Sequence, residues 1–393
     1  MPGSLIITAK RSANARFLGT LEPLSAVEIA TPIAAAVIRE LNLKPDAVDE
    51  VFIGQVVQAG VGQGPARQVA LRAGLADTVS AVTVNQVCGS GLRAVMSADR
   101  AIRAGDADVV LAGGMESMSN GPHLVRGMRN GGAKFGDAKM LDSLLLDGLT
   151  CAFDKCLMGD TAEYLADKQR ITRADQDQVA LLSHQRAAKA TAEGAFKREI
   201  VPIEIPSRKG KIVFDVDECV RADTTVEGLG KLTPHFKKEG TVTAGNASAL
   251  SDGAAMVLVA SPDAARKHGW KPRAKILSAA VAGGPPRELF TVTIPAIRTA
   301  LEKAGLRTSD IDLFEINEAF AVQLVACVRG LEIDPERVNV HGGSIALGHP
   351  IGASGARILT TLLHALERRN LKRGVAGLCL GGGNAVAMVI ERV

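Results

Sequence analysis

Aromatic residues are scarce in this chain: they make up 3% of 393 residues, with one Trp and one Tyr. A surface that stacks unpaired bases needs several exposed rings, so nucleic acid is not an expected partner. Long apolar runs are missing as well, since Gly, Asp or Arg interrupts each one before the roughly 20 residues that cross a bilayer. No membrane partner is expected. Charge of one sign is also absent: the net charge is +4 and the basic residues are scattered, which leaves room for a local anion site only. Cysteines are few and unevenly spaced (Cys88, Cys151, Cys156, Cys219, Cys327, Cys379), a pattern of free thiols in a reducing compartment. Cys151 and Cys156 have no second Cys/His pair at zinc spacing, so no metal is expected. Residues 1–7 lack the charged, apolar and cleavable regions of an export signal, which points to a cytoplasmic protein.

What is present is an ordinary globular composition, 47% hydrophobic and 22% charged, long enough for two or three domains. The 41 glycines favour close backbone approach and tight strand-to-helix turns. A faint duplication recurs at an offset of roughly 265 residues. Pro32-Ile33-Ala34 through Ala47-Val48-Asp49 matches Pro295-Ala296-Ile297 through Asp310-Ile311-Asp312, and Ser90-Gly91-Leu92-Arg93 matches Ser354-Gly355-Ala356-Arg357. Apolar runs at 51–53, 82–87 and 109–112, then at 313–316, 338–340 and 375–380, alternate with helical periodicity, the pattern of an α/β protein. Between the halves the rhythm changes to a Gly-rich stretch at 127–136, a polar helix at 173–194 and a strand-rich segment at 200–214. These observations predict a core half at 1–119 plus 248–271, an inserted loop domain at 120–247 that captures ligand, and a second core half at 272–393.

Several residues then stand where chemistry is done. Cys88 follows a β-branched strand and precedes a helix, between glycines, in the geometry of a nucleophile elbow. The helix N-terminus there predicts a thiol pKa lowered toward neutrality, and a buried structural Cys is the competing reading. His349, in Gly348-His349-Pro350, occupies the equivalent turn of the second half, where it can serve as base for the thiol or only cap the loop. Cys379 ends an apolar strand before Gly381-Gly382-Gly383, whose bare N–H groups suit an oxyanion hole; core packing is the alternative. Asn317 can hold a water at a carbonyl oxygen or act as a helix N-cap. The small-residue loop 241–248 can pass a pantetheine arm or be an ordinary turn.

Taken together, Asn85-Gln86-Val87-Cys88-Gly89-Ser90-Gly91, Asn317-Glu318-Ala319-Phe320, Gly348-His349-Pro350-Ile351-Gly352 and Cys379-Leu380-Gly381-Gly382-Gly383 resemble the thiolase family over essentially the whole chain. The resemblance implies the thiolase fold: two duplicated βαβαβαββ core halves, each a five-stranded layer, in a layered αβαβα arrangement with the inserted loop domain. It implies Cys88 as the acylated nucleophile, His349 as its activator and Cys379 as the acid/base. One oxyanion hole would come from His349 and an Asn317-held water, the other from the N–H groups of Cys88 and Gly381. Ser248, Arg221, Met158 and Phe236 would contact coenzyme A. The implied partners are acetyl-CoA, acetoacetyl-CoA and coenzyme A, with no tightly bound cofactor, and the implied assembly is a homotetramer. Short-chain biosynthetic members have His-Met at Leu157-Met158, a Gly-x-Gly-Pro run at Phe290-Thr291-Val292-Thr293 and Asn at His341, departures expected near the acyl and pantetheine tunnel. Ketoacyl synthases share the fold but pair their Cys with two histidines, which Cys379 argues against. A nicotinamide oxidoreductase lacks support because no Gly-x-Gly-x-x-Gly opens a helix after the first strand.

Overall fold

The computed structural model describes residues 3–131, 135–207 and 210–393. Residues 1–2, residues 132–134 of the Gly-rich stretch and residues 208–209 of the strand-rich segment lie outside the described residues.

In the first half the strands Ser80–Val84, Glu50–Gly54, Val109–Ser117, Ser251–Ala260 and Leu5–Arg11 lie side by side in that order. In the second half the order is Ala274–Gly283, Asn384–Arg392, Arg373–Leu380 and Leu313–Ile316. Among the described residues, the pairs Leu5 with Lys275 and Ile6 with Ala274 join the halves, and with the short strand Ala15–Arg16, which pairs with Ser251–Ala260, they make one ten-stranded sheet. In each half the parallel pair ends its strands side by side, at Gly54 with Val84 in the first and at Ile316 with Gly377 in the second, the ends at which α/β sheets form their crevices.

Two central helices separate the halves. Ser90–Ala104 buries Leu92, Val95, Met96 and Ile102 at helical spacing and stops at Gly105, whose φ of 83° lets its N–H reach Ala101 and Ile102 carbonyls. Ser354–Arg368 packs against it very closely: a Cβ on Gly91 would lie 2.9 Å from Ala356 N, and one on Gly355 would lie 2.4 Å from Leu92 N. Ala26–Glu40 and Pro65–Arg72 cover the outer face of the first half, and Thr293–Lys303 covers that of the second. This is the layered α/β architecture the sequence predicts.

One predicted strand is missing. The run at 338–340 makes only a single bridge, Val338 with Phe314. Asn339 turns the chain away with a φ of 46°, and its side chain takes over the strand's hydrogen bonds, accepting from Ile316 N and donating to Ile316 O, both at 2.9 Å.

Residues 120–247 contribute the helices Met158–Gln169 and Arg173–Ala192 and the hairpin Ile203–Ser207 with Gly210–Phe214. Arg11 ties it to the core: fully buried, it donates to Glu199 Oε1 at 2.6 Å and Asp217 Oδ1 at 2.7 Å and lies 5.0 Å from the Phe196 ring centre. Removing either end of such a buried pair costs about 3–5 kcal/mol because a charge is left without a partner.

Candidate active site

The strand Ser80–Val84 ends before Cys88, and Val87 takes a φ of 48°, a left-handed conformation that strains a β-branched residue. Local hydrogen bonds hold this turn: Asn85 Oδ1 accepts from Val87 N at 3.0 Å, while Ser90 Oγ accepts from Gln86 N at 2.9 Å and donates to Val87 O at 2.6 Å. Gly89 is required next, since a Cβ there would lie 2.3 Å from Leu380 Cδ2. The Cys88 turn is thus pressed onto the end of Arg373–Leu380, and the N–H of Gly381 reaches the Cys88 sulfur. Beyond it, Gly382 and Gly383 have φ of 82° and 81°, and a Cβ on Gly383 would strike Gly284 O at 2.3 Å, so the turn after Cys379 is open only to glycine there.

Burial pushes the Cys88 thiol up to about 11, although the N–H groups of Gly381 and of Cys88 itself pull it down. This reverses the predicted lowering: desolvation by burial outweighs the helix terminus. Cys379, 2% exposed, is raised well above an ordinary thiol by burial and then by the charge of Cys88. His349 is lowered to about 3, first by burial and then by Arg357. All three groups therefore rest neutral.

The tautomer of His349 follows from its neighbours. Ser354 Oγ donates its one proton to Pro350 O at 2.8 Å, so it can only accept at 2.6 Å from His349 Nδ1–H. That leaves Nε2 with a lone pair, facing Asn317 Nδ2 at 3.4 Å. A neutral imidazole in this form can take a proton from a thiol as the sulfur attacks a carbonyl carbon.

A cavity of about 320 Å³ opens onto these groups and is lined by Cys88, His349, Cys379 and Gly381, together with Ser248, Met158 and Phe236. Asn317 lies just beneath, in contact with His349 and 1% exposed. It is not a helix N-cap; Phe320 holds that place for Ala321–Leu331. Ser248 is positioned by backbone pairing, its N–H donating to Ala319 O at 3.0 Å, and by Asn246, which donates to Asp177 Oδ1 at 2.9 Å and accepts from Thr243 N at 2.8 Å. Phe236 fits because Gly159, where a Cβ would lie 2.2 Å from its ring, lets the helix come close.

Two residues named from the sequence stand outside this cavity. Arg221 is exposed, sits against His184 with Nη2 3.2 Å from Nε2, and does not line the cavity. His341 does not line it either; it packs edge-on against Phe196 at 5.9 Å. Leu157 and Phe290 are in the wall as expected. The apolar Leu145, Leu149 and Ile351 line it as well. Glu116 has a structural role that its local sequence does not show: completely buried, its carboxyl group accepts from Val56 N at 3.0 Å, Val57 N at 3.3 Å and Gly352 N at 3.1 Å, tying the His349 loop to the first half.

Residues 4–263 match the family model "Thiolase, N-terminal domain" and residues 270–392 match "Thiolase, C-terminal domain". The chain belongs to the thiolase family. It is 50% identical to an acetyl-CoA acetyltransferase of Allochromatium vinosum over 390 residues, 99% of each chain. It is 49% identical to that of Escherichia coli over 393 residues, 100% of both. Among solved structures, the Bacillus anthracis acetyl-CoA acetyltransferase and human mitochondrial 3-ketoacyl-CoA thiolase each superpose with a TM-score of 0.97 at 42% identity, over 100% of this chain and 99% of theirs.

Proposed function

We propose that this protein is an acetyl-CoA C-acetyltransferase, joining two acetyl-CoA molecules into acetoacetyl-CoA and coenzyme A and running the reverse thiolysis. The observation that carries the reading is the pair of thiols, Cys88 and Cys379, beside one imidazole in a single apolar cavity. His349 Nε2 takes the Cys88 proton as the sulfur attacks the acetyl carbonyl, and the oxyanion is met by the N–H groups of Cys88 and Gly381. Collapse expels coenzyme A, protonated by Cys379. Because burial raises Cys379, its thiolate is a strong base once formed, and it removes the α-proton of a second acetyl-CoA. The carbanion attacks the Cys88 thioester, and the departing Cys88 sulfur recovers its proton from His349. A water held by Asn317, together with His349, serves the thioester oxygen of the second substrate. Ser248, Met158 and Phe236 border the pantetheine arm, and Arg221, outside the cavity, is assigned to the anionic outer end of coenzyme A.

The same reading takes 120–247 as the cap over core halves at 1–119 plus 248–271 and 272–393, in a cytoplasmic homotetramer. It requires coenzyme A-dependent cleavage of acetoacetyl-CoA that Cys88→Ser abolishes; a mutant with near wild-type cleavage refutes it. Leu157, Leu145 and Leu149 in the cavity wall favour a second reading, a degradative 3-ketoacyl-CoA thiolase of broader chain length in fatty-acid β-oxidation. In that case a C6 3-ketoacyl-CoA is cleaved within about tenfold of the acetoacetyl-CoA efficiency, a difference of about 1.4 kcal/mol or less. A far steeper drop leaves the first reading alone.

A further inference from the structure

Behind the imidazole runs a chain of hydrogen bonds that the reaction scheme does not use. Arg357 lies one turn beyond Ser354 on the central helix Ser354–Arg368 and is 1% exposed. A buried guanidinium is expensive unless its donors are used. Here Nη2 donates to Ser344 Oγ, while Nε and Nη1 have no partner among the described residues. Its charge faces Glu315, 2% exposed, on the strand Leu313–Ile316 that Asn317 directly follows. Ser344 Oγ in turn donates to Asn317 Oδ1 at 2.6 Å, and Asn317 Nδ2 reaches His349 Nε2 at 3.4 Å.

The direction of this chain is dictated by its first member. A guanidinium only donates, so the Ser344 oxygen must accept from Arg357 and send its single proton to Asn317 Oδ1. The two ends of an amide are nearly alike in shape, and without that proton either could face the imidazole. A flipped Asn317 would set a carbonyl oxygen against the Nε2 lone pair and remove a donor from the cavity. We infer that Arg357 and Ser344 are positioning residues, locking the Asn317 amide with its N–H groups toward His349 and the reacting thioester. The inference rests on the reading of Asn317 as the residue that holds a water to the second substrate's oxygen. One helix then orients both sides of the imidazole: Ser354 sets Nδ1 directly, and Arg357 sets the group at Nε2 through Ser344.

The test separates the two half-reactions in Ser344→Ala, Arg357→Met and Arg357→Lys. Acetylation of Cys88 by labelled acetyl-CoA relies on the Cys88 and Gly381 N–H groups, whereas exchange of acetyl-CoA methyl protons with D2O relies on Asn317. Ser344→Ala and Arg357→Met should slow the exchange by about tenfold or more while acetylation falls less than about threefold. Arg357→Lys, which keeps a donor for Ser344, should recover most of the exchange. Equal losses in both half-reactions, or no loss in either, overturn the inference, as does an Arg357→Lys no better than Arg357→Met. The Asn317 side-chain amide signal of selectively 15N-labelled protein adds a readout independent of turnover: it should move in Ser344→Ala, and an unmoved signal also overturns the lock. If the wild-type protein fails to acetylate Cys88 while this signal moves as expected, the reaction scheme falls and the lock stands.

Discussion

Ser354→Ala removes two atoms' worth of chemistry without touching the cavity wall. Ser354 is completely buried and holds His349 Nδ1–H at 2.6 Å. In the mutant the imidazole has two choices, and both are penalised. Keeping its proton on Nδ1 leaves a buried donor unpaired, at about 1–3 kcal/mol. Moving it to Nε2 turns a donor toward Asn317 Nδ2, 3.4 Å away, and leaves no lone pair for the Cys88 proton. A penalty of about 1–3 kcal/mol on the reactive form corresponds to about 5- to 150-fold in rate. The assay is thiolysis of acetoacetyl-CoA by purified mutant, with thermal melting as a check on folding. The rate constant kcat should fall by that factor while KM for coenzyme A changes less than about twofold, because Ser354 does not border the cavity. A kcat within about twofold of wild type, at unchanged melting temperature, refutes the tautomer assignment.

Other outcomes follow from the same geometry. Cys379→Ser should still acetylate at Cys88, since His349 and both oxyanion sites remain, but condensation should fall by about 10²–10⁴ for want of a base; radiolabel counted on the enzyme, then acetoacetyl-CoA formation, separates the steps, and condensation near the wild-type rate contradicts the division of labour. Because Cys88 is pushed up to about 11, alkylation of the unliganded enzyme by iodoacetamide should climb about tenfold per pH unit from pH 7 to 9. A plateau below pH 8 means a preformed thiolate. Gly383→Ala places a Cβ 2.3 Å from Gly284 O at a φ of 81° and should destabilise the fold by about 1–3 kcal/mol in denaturant unfolding; an unchanged midpoint contradicts the strain.

The parts of this molecule that were legible in its sequence are those written in local pattern. The Cys88 turn, the helix ending at Gly105 and the glycines after Cys379 each announce themselves within a few residues, because strand ends, caps and left-handed turns are short-range constraints. The run at 338–340 misleads for the same reason: its apolar pattern hides an Asn339 whose side chain, paired with a strand 23 residues away, ends the strand. The turn around Cys88 predicts a lowered thiol pKa, and the structure raises it, because burial sums contributions from segments far apart in sequence, which no window around the residue contains. Cavity walls behave likewise: Leu145 and Leu149 come from residues 120–247 and Ile351 from the second half, while Arg221 packs against His184.

The central claim is that Cys88 carries the acyl group. Incubation with acetoacetyl-CoA alone, rapid acid quench and peptide mapping by mass spectrometry measure it directly. One acetyl group should be found per chain, on the peptide holding Cys88, and none on Cys88→Ser treated identically. Acetyl found on Cys379 or another cysteine, with Cys88 unmodified, would contradict the account.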